Sequence, residues 1–396
     1  MRRITETLRT FFRKGDVLLL VLCLIASIFG LVLIFSATQY DEALHRSAPI
    51  KQALFICMGV VAYVILSFVD IELFVEKSWK WLFLFNVCFI LLLLTPFGIG
   101  KEETGNNSWL AFPFLPVTIQ PAEVAKIFFV MILALQCARY REFGISRPSS
   151  VFRLAAHALF MAALIAVVSG DFGMVLVYVL IFAIMSFSAG VKLRWFALGG
   201  ILILGGIAAL AVLSVKSEVF MQKFGYIIRR FTEVFTRDDP QGAGWQQTRS
   251  ILAIGSGQLT GQGYLHGVQT QSTSEQSLPA RHTDEIFAVC GEEFGLIGCV
   301  LVLLILGAII IRCFWVGRSA RSHFSAYIAI GYGAMLLIQT AINVAVCLYL
   351  FPVVGLTLPF FSYGGSSILT LFAAMGVVSG IKMRSLPSWL QDRSRL

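Results

Sequence analysis

Long apolar runs alternate with short polar segments along most of the chain. Runs of spanning length fall at about 17–37, 50–69, 79–98, 121–138, 152–169, 173–190, 194–215, 286–311, 324–347 and 366–382. A bilayer core takes about 20 residues of helix, so this pattern predicts an all-α integral membrane protein with about ten transmembrane helices. The cations between the runs set the expected orientation. Arg2, Arg3, Arg9, Arg13 and Lys14 precede the first run. Alternation then gives the same side Arg139, Arg141, Arg147 and Arg153, the pair Lys192 and Arg194, the set Arg312, Arg318 and Arg321, and the tail cations Lys382, Arg384, Arg393 and Arg395. Cation-rich short loops face the cytoplasm, so both termini are expected inside. The first run has no convincing signal-peptide cleavage site and is expected to stay as an anchor. No soluble domain stands out, and residues 1–396 read as a single polytopic membrane domain.

Composition agrees with that reading. The 396 residues are 58% hydrophobic and 13% charged, far from the balance of a water-soluble domain. The formal net charge of +9 reflects orientation in such a chain, so no nucleic-acid partner is expected. Eight cysteines are scattered without a CxxC pair and read as small hydrophobes. No histidine or cysteine pair has metal-ligand spacing, so no metal site is expected.

The opposite face receives the long connections, at about 99–120, 216–284 and 348–366. The second is the large extracytoplasmic loop between helices 7 and 8. Phe220, Phe224, Ile227, Ile228, Phe231 and Phe235 recur at helical spacing among cations, which predicts a basic amphipathic helix over 219–235 on the outer membrane surface. The Gly-rich stretch "GAGWQQTRSILAIGSGQLTGQGYLHG" that follows predicts sharp turns rather than a long regular element.

Three polar sets fall at that face. In "QPAEVAK", Pro121 suits a first helical turn, and Glu123 and Lys126 lie three apart on one side of the helix. Ionisable groups at that depth pair, either to hold helices together or to serve a site. Asp171, in a short turn, either caps the next helix or positions a cation or a sugar hydroxyl. In "LPARHTDEIFAVCGEEFG", Thr283 or Asp284 is an N-cap or part of a proton-transfer site. His282 reads first as a structural histidine. Glu292 and Glu293, two turns further on, call for partners such as Lys126 or a loop arginine.

"QPAEVAK", "ILAIGSGQLTGQG", "LPARHTDEIFAVCGEEFG" and "FPVVGLTLPFFSYGGSS", in that order on a ten-span scaffold, resemble the SEDS family (shape, elongation, division and sporulation), which includes RodA, FtsW and SpoVE. The resemblance covers nearly the whole chain. It implies a peptidoglycan glycosyltransferase of the bacterial cytoplasmic membrane that polymerises lipid II beside a class B penicillin-binding protein. It assigns Asp284 to the family's essential acidic position. Lys126 and Glu123 match its QPSExxK motif, Asp171 its PDxG, and Asn343, Pro352, Pro359 and Ser362 through Ser366 its C-terminal signature.

The sequence also departs from the usual pattern. Ser108 stands before Trp109 where many members have arginine, and Ala122 replaces the motif serine. Arg249 takes a position often held by glutamine, Tyr264 and Leu265 interrupt a GLG run, and Glu285 replaces an aromatic. Two adjacent acids raise one another's pKa, which leaves open whether Asp284 or Glu285 is ionised.

The expected site therefore has Asp284 as catalytic base for an inverting transfer between lipid II and a polyprenyl-pyrophosphate-linked glycan. Lys126, Glu123, Asp171, Arg249, Arg281, His282, Glu285, Ser250 and Gln120 are the candidate substrate-binding residues. Lys126, Arg249 and Arg281, in that order, are candidates to stabilise the departing pyrophosphate. No cofactor is evident, although a divalent cation, Mg or Mn, could share that task. The rival expectations are a lipid II flippase, since transporters also carry acids and a lysine inside a bundle, and a non-catalytic scaffold of wall enzymes.

Overall fold

The computed structural model describes residues 2–100, 106–113, 117–216, 234, 236, 244–273 and 277–385. Its helices are α1 (Arg2–Lys14), α2 (Val17–Ala37), α3 (Glu42–Phe68), α4 (Ile71–Leu91), α5 (Pro121–Phe143), α6 (Pro148–Val168), α7 (Phe172–Ala189), α8 (Leu193–Lys216), α9 (Trp245–Ser256), α10 (Val268–Gln271), α11 (Ile286–Arg318), α12 (His323–Cys347) and α13 (Gly365–Ser385). Every one of the ten apolar runs falls on a helix. Among the described residues nine helices are long and apolar enough to cross a membrane, and the apolar part of α8, Leu193–Gly206, is a shorter tenth. This is a multi-pass, all-α membrane protein.

Helix ends extend past the apolar runs wherever a cap supports another turn. Asp41 accepts from the amides of Ala43 and Leu44, so α3 starts at Glu42 rather than near residue 50. Asp70 caps α4 in the same way, eight residues ahead of its expected start near residue 79. The caps satisfy amides that the apolar pattern does not report. Two elements went unforeseen: α1, and a small antiparallel sheet of β1 (Gly98–Ile99), β2 (Trp109–Ala111) and β3 (Thr118–Ile119), centred on the buried Leu110.

The core sits around α5. Its apolar window is 78% buried, against 72% for α12, 67% for α13 and only 22% for α4. At the end where α1 lies, buried Asp16 binds Arg312 at 2.8 Å and Lys382 at 3.3 Å, which ties α2, α11 and α13 together. A buried carboxylate needs such partners, because its desolvation is otherwise uncompensated.

The Gly-rich stretch corrects an expectation. Trp245–Ser256 is a regular helix of 12 residues. Its glycines cluster at the helix ends instead of interrupting it, and the expected turns come only afterwards, at Gly261 (φ +83°) and Gly263 (φ +103°). These turns lie against a break in α11 at Gly295 (φ 65°, ψ −161°). The amides of Gln262 and Gly263 donate to the carbonyls of Glu292 and Glu293 (2.9 and 3.1 Å). In return the amides of Leu296 and Ile297 donate to Gln258 and Leu259 (2.9 and 3.2 Å). Backbone groups freed by the break are thereby satisfied, as any non-aqueous setting requires. The amphipathic helix expected over 219–235 lies, apart from residue 234, outside the described residues.

Candidate active site

The three polar sets meet at the end of the bundle opposite α1. There α5, α7, α11 and α13 begin and α2 and α12 finish. The centre is the turn Arg281–Glu285. Ala280 has φ +42°, and the amides of Thr283 and Glu285 both return to its carbonyl, at 3.0 and 3.2 Å. Glu285 is the residue at the cap position of α11, with no side-chain cap bond. Neither Thr283 nor Asp284 caps the helix, because the Thr283 hydroxyl bonds Ala280 O and the Asp284 side chain points elsewhere.

Three successive carbonyls of this turn are held from outside it. His282 O accepts from the Tyr363 amide (2.8 Å), Thr283 O from the Ser362 hydroxyl (2.5 Å) and Asp284 O from Asn343 Nδ2 (2.7 Å). The same Asn343 nitrogen also donates to Leu356 O at 2.7 Å. Gln52 secures the far side, donating to Ser362 O and accepting from the Gly364 amide, both at 3.2 Å. The C-terminal signature is thus a clasp that immobilises the backbone under Asp284. Asn343→Ala is expected to leave two carbonyls short of a donor and cost roughly 1–3 kcal/mol of stability. Thermal unfolding of the purified variant checks this.

The Asp284 carboxylate lies half-buried. Its Oδ2 faces Gly355, which has φ +67° and whose added Cβ would sit 3.8 Å away. Among the described residues no group donates a hydrogen bond to this carboxylate. Burial, then Glu285, then Asp171 push its pKa up to about 7. The N-terminus of α7 presses on the segment that carries Gly355, since a Cβ on Gly173 would come within 2.3 Å of Val354 O.

Asp171 takes the first of its two expected roles, the cap of α7. Oδ1 caps α7 through the Met174 amide (2.9 Å), while Oδ2 accepts from Gln120 Nε2 (3.0 Å). Burial first, with Glu123 adding to it, pushes its pKa up to about 6 despite those bonds. Glu123 and Lys126 form a buried pair at 2.9 Å, and the other Glu123 oxygen accepts from Gln339 at 3.1 Å. Lys126 is only 1% exposed, so its charge acts from within the wall of the site. Glu123, Asp171, Asp284 and Glu285 thus form a row of four acids with one buried lysine at its end. For Asp171 and Asp284, neighbouring acids add to the effect of burial, and both hold protons that isolated carboxyls would release.

Glu285 is fully buried and turns towards α9, where Gln246 donates to it at 3.0 Å. Its second oxygen is orphaned, and burial raises its pKa. Ser250 donates to Cys347 O (2.9 Å) and Gln247 to Val346 O and Phe351 O, so one face of α9 is docked on α12. Arg249 lies on that helix, partly exposed and with contacts of its own.

Arg281 has a different place from the one expected. Its donors go to the carbonyls of Leu278, Thr270 and Ser272 and to the Ser277 hydroxyl, and its guanidinium lies 3.9 Å from the Tyr40 ring centre. It staples the loop to the end of α2. His282 stacks obliquely on Tyr363 at 5.8 Å, its pKa lowered by burial and by Arg281. Glu292 and Glu293 form no ion pair among the described residues, although the loop arginine Arg281 lies near enough for its charge to act on Glu292. Glu292 accepts from the amides of Gln269 and Thr270 (2.7 and 2.8 Å), whereas Glu293 accepts from Ser36 (2.5 Å) and Gln271 (3.0 Å). Both acids lock the loop to α2 and α11, a use that nothing in their spacing reveals.

A family model described as "Cell cycle protein", which covers FtsW, RodA and SpoVE, matches residues 16–386. The chain belongs to the FtsW/RodA/SpoVE family. It is 32% identical over 364 residues to a protein from Haemophilus influenzae named probable peptidoglycan glycosyltransferase FtsW, covering 90% of this chain and 87% of that one. Stage V sporulation protein E of Bacillus subtilis is 32% identical over 378 residues (93% and 97% covered). Peptidoglycan glycosyltransferase MrdB of Escherichia coli is 31% identical over 377 residues (94% and 95%). Among solved structures, the fold matches a chain of a peptidoglycan synthase complex described as coordinating polymerization and crosslinking. That match has TM-score 0.75 and 24% identity, with 94% of this chain and 98% of that one covered. It also matches the rod shape determining protein RodA of Thermus thermophilus, with TM-score 0.64, 24% identity, and 94% and 98% covered. FtsW, SpoVE and MrdB relatives lie within two percentage points of identity, so likeness alone does not single out a subfamily.

Proposed function

We propose that this chain is a peptidoglycan glycosyltransferase that polymerises lipid II at the outer face of the bacterial cytoplasmic membrane. The observation that carries the chemistry is the Asp284 carboxylate. It is held by a clasped backbone, lacks a donor among the described residues, and has a pKa kept near neutrality first by burial and then by the acids Glu285 and Asp171. A base whose pKa lies near the working pH is the efficient one for proton transfer.

Asp284 takes the proton of the sugar 4-hydroxyl as that oxygen attacks the anomeric carbon of the growing strand, with inversion. The polyprenyl pyrophosphate leaves. Asp171, fixed by Gln120 and the α7 amide, orients the acceptor sugar through hydroxyl hydrogen bonds. Negative charge develops on the leaving pyrophosphate and needs cations. Arg249 on α9 supplies one, and Lys126 contributes from the wall. Among the described residues no three of His, Cys, Asp or Glu are placed to hold a metal ion together. A divalent cation would therefore enter on the pyrophosphate, completed by water and one or two carboxylates. Both termini lie in the cytoplasm in this reading, and a class B penicillin-binding protein cross-links the product. The likeness to a chain of a synthase complex that couples polymerization to crosslinking supports that partnership.

Transport fits less well. The acids gather at one end of the bundle, whereas transporters place such groups near mid-membrane between matched broken helices. Purified protein with lipid II, with and without a transpeptidase partner, tests the proposal. Glycan strands are expected, and the rate should rise with pH and level off above about 7, because only ionised Asp284 is a base. Below that point it should fall roughly tenfold per pH unit. Flipping without strand synthesis in proteoliposomes would overturn the reading.

A further inference from the structure

A second polar cavity lies at the opposite end of the bundle, far from the acids. It has a volume of about 470 Å³ and is built where four segments converge. α1 contributes Thr10 and Lys14, and α13 contributes Ile381, Met383, Arg384 and Ser385. The α3–α4 turn adds Phe68, Asp70 and Glu72, while Arg321, Ser322 and Ser325 come from the α11–α12 turn. Three cations thus face two acids.

The acids are already engaged. Asp70 lies 3.9 Å from Arg384 and caps α4. Glu72 accepts from the hydroxyls of both Ser322 and Ser325. Arg384 also donates to Gly380 O and Phe68 O, so it builds the wall. Lys14 pairs with no carboxylate among the described residues. The N-termini of α4 and α12 at the cavity are already capped, by Asp70 and Ser322, so the cations are left to attract a ligand.

The cavity's depth selects the anion. α3 ends at Phe68, α4 starts at Ile71 and α13 ends at Ser385, so the cavity lies level with the helix ends at the membrane boundary. Beside it, Ile65, Leu73 and Phe74 on α3 and α4 are 58%, 51% and 43% exposed, an apolar outer surface suited to acyl chains. Inside, Phe68, Ile381 and Met383 form the apolar wall. Phosphate groups are concentrated at that depth as phospholipid headgroups.

We propose that this cavity binds the phosphodiester headgroup of an anionic phospholipid, with Lys14 and Arg321 supplying the charge. A lipid seated there joins α1 to α3, α4, α12 and α13, and so couples the inner leaflet's composition to the packing of the bundle. Basic pockets between helix ends have the chemistry for such headgroups.

Titration of the detergent-purified full chain with three soluble ligands tests the site: dihexanoyl phosphatidylglycerol, dihexanoyl phosphatidylcholine and inorganic phosphate. Calorimetry reads each affinity. Phosphatidylglycerol is expected to bind at least about tenfold more tightly than either other ligand. Lys14→Gln should weaken it about fivefold, and Lys14→Gln with Arg321→Gln about 25-fold. Equal binding of inorganic phosphate would make the site one for a free anion, and equal binding of phosphatidylcholine would remove the anionic preference. Either result overturns the proposal, as does unchanged affinity in the double variant. Should the double variant misfold, Lys14→Gln and the wild-type ligand series still decide. Strand synthesis enters none of these readouts, so the proposal stands or falls apart from the function proposed above.

Discussion

Asp284→Asn should abolish lipid II polymerisation, by at least about 10²-fold and up to about 10⁴-fold, the usual share of a positioned base. The amide keeps the shape and the backbone clasp, because Tyr363, Ser362 and Asn343 hold main-chain carbonyls and not the side chain. What it loses is the ability to take a proton.

The same variant should be no less stable, and more stable above neutral pH. A carboxyl with a folded-state pKa of about 7, against an ordinary 3.8, keeps a proton that the unfolded chain has already released. Stability therefore falls as pH rises across that window, and the cost is complete above it. Asparagine removes that pH-dependent cost. Polymerisation assayed beside thermal unfolding at pH 6 and pH 8 separates the two effects. Retained product would sink the assignment of Asp284, and a destabilised variant would contradict the strained carboxylate.

Gly295→Ala should be the most damaging single change to the fold. At φ 65° and ψ −161° the backbone is in a region open essentially to glycine alone. A Cβ there would lie 2.4 Å from Gly261 N and 2.6 Å from both the carbonyl carbon and oxygen of Leu259. These are backbone atoms and cannot rotate aside. Backbone strain together with the broken bonds between 258–263 and 292–297 amounts to roughly 4 kcal/mol or more. Gly307→Ala, in the same helix with open space around the added methyl, is the control and should be neutral or slightly stabilising. Thermal unfolding of both variants and of wild type measures the contrast. Similar melting for the two would mean that the break in α11 carries no load.

The membrane spans were legible because insertion depends on the summed transfer energy of about 20 consecutive residues, a local quantity. Helix limits were less so, since Asp41 and Asp70 add turns through caps that apolar periodicity ignores. The acids at 123, 171 and 284 and their common face could be named from sequence, but their individual hydrogen-bond partners could not. Arg281 shows the limit most clearly. As a cation beside HTD it reads as a pyrophosphate ligand, yet Tyr40 and four acceptors of its own loop occupy it. Glu292 and Glu293 are similar: buried acids call for partners, and amides and hydroxyls bind them directly, while the loop arginine Arg281 reaches Glu292 only through its charge.

By itself, the sequence determined a multi-pass helical membrane protein and the residues able to move a proton, since chain composition over short windows decides both. Only the tertiary structure decided which carboxylate has no donor among the described residues and which cation is already occupied. Those outcomes rest on partners far apart along the chain, such as Asn343 beneath Asp284 and Ser36 beside Glu293, and no local pattern records such distances.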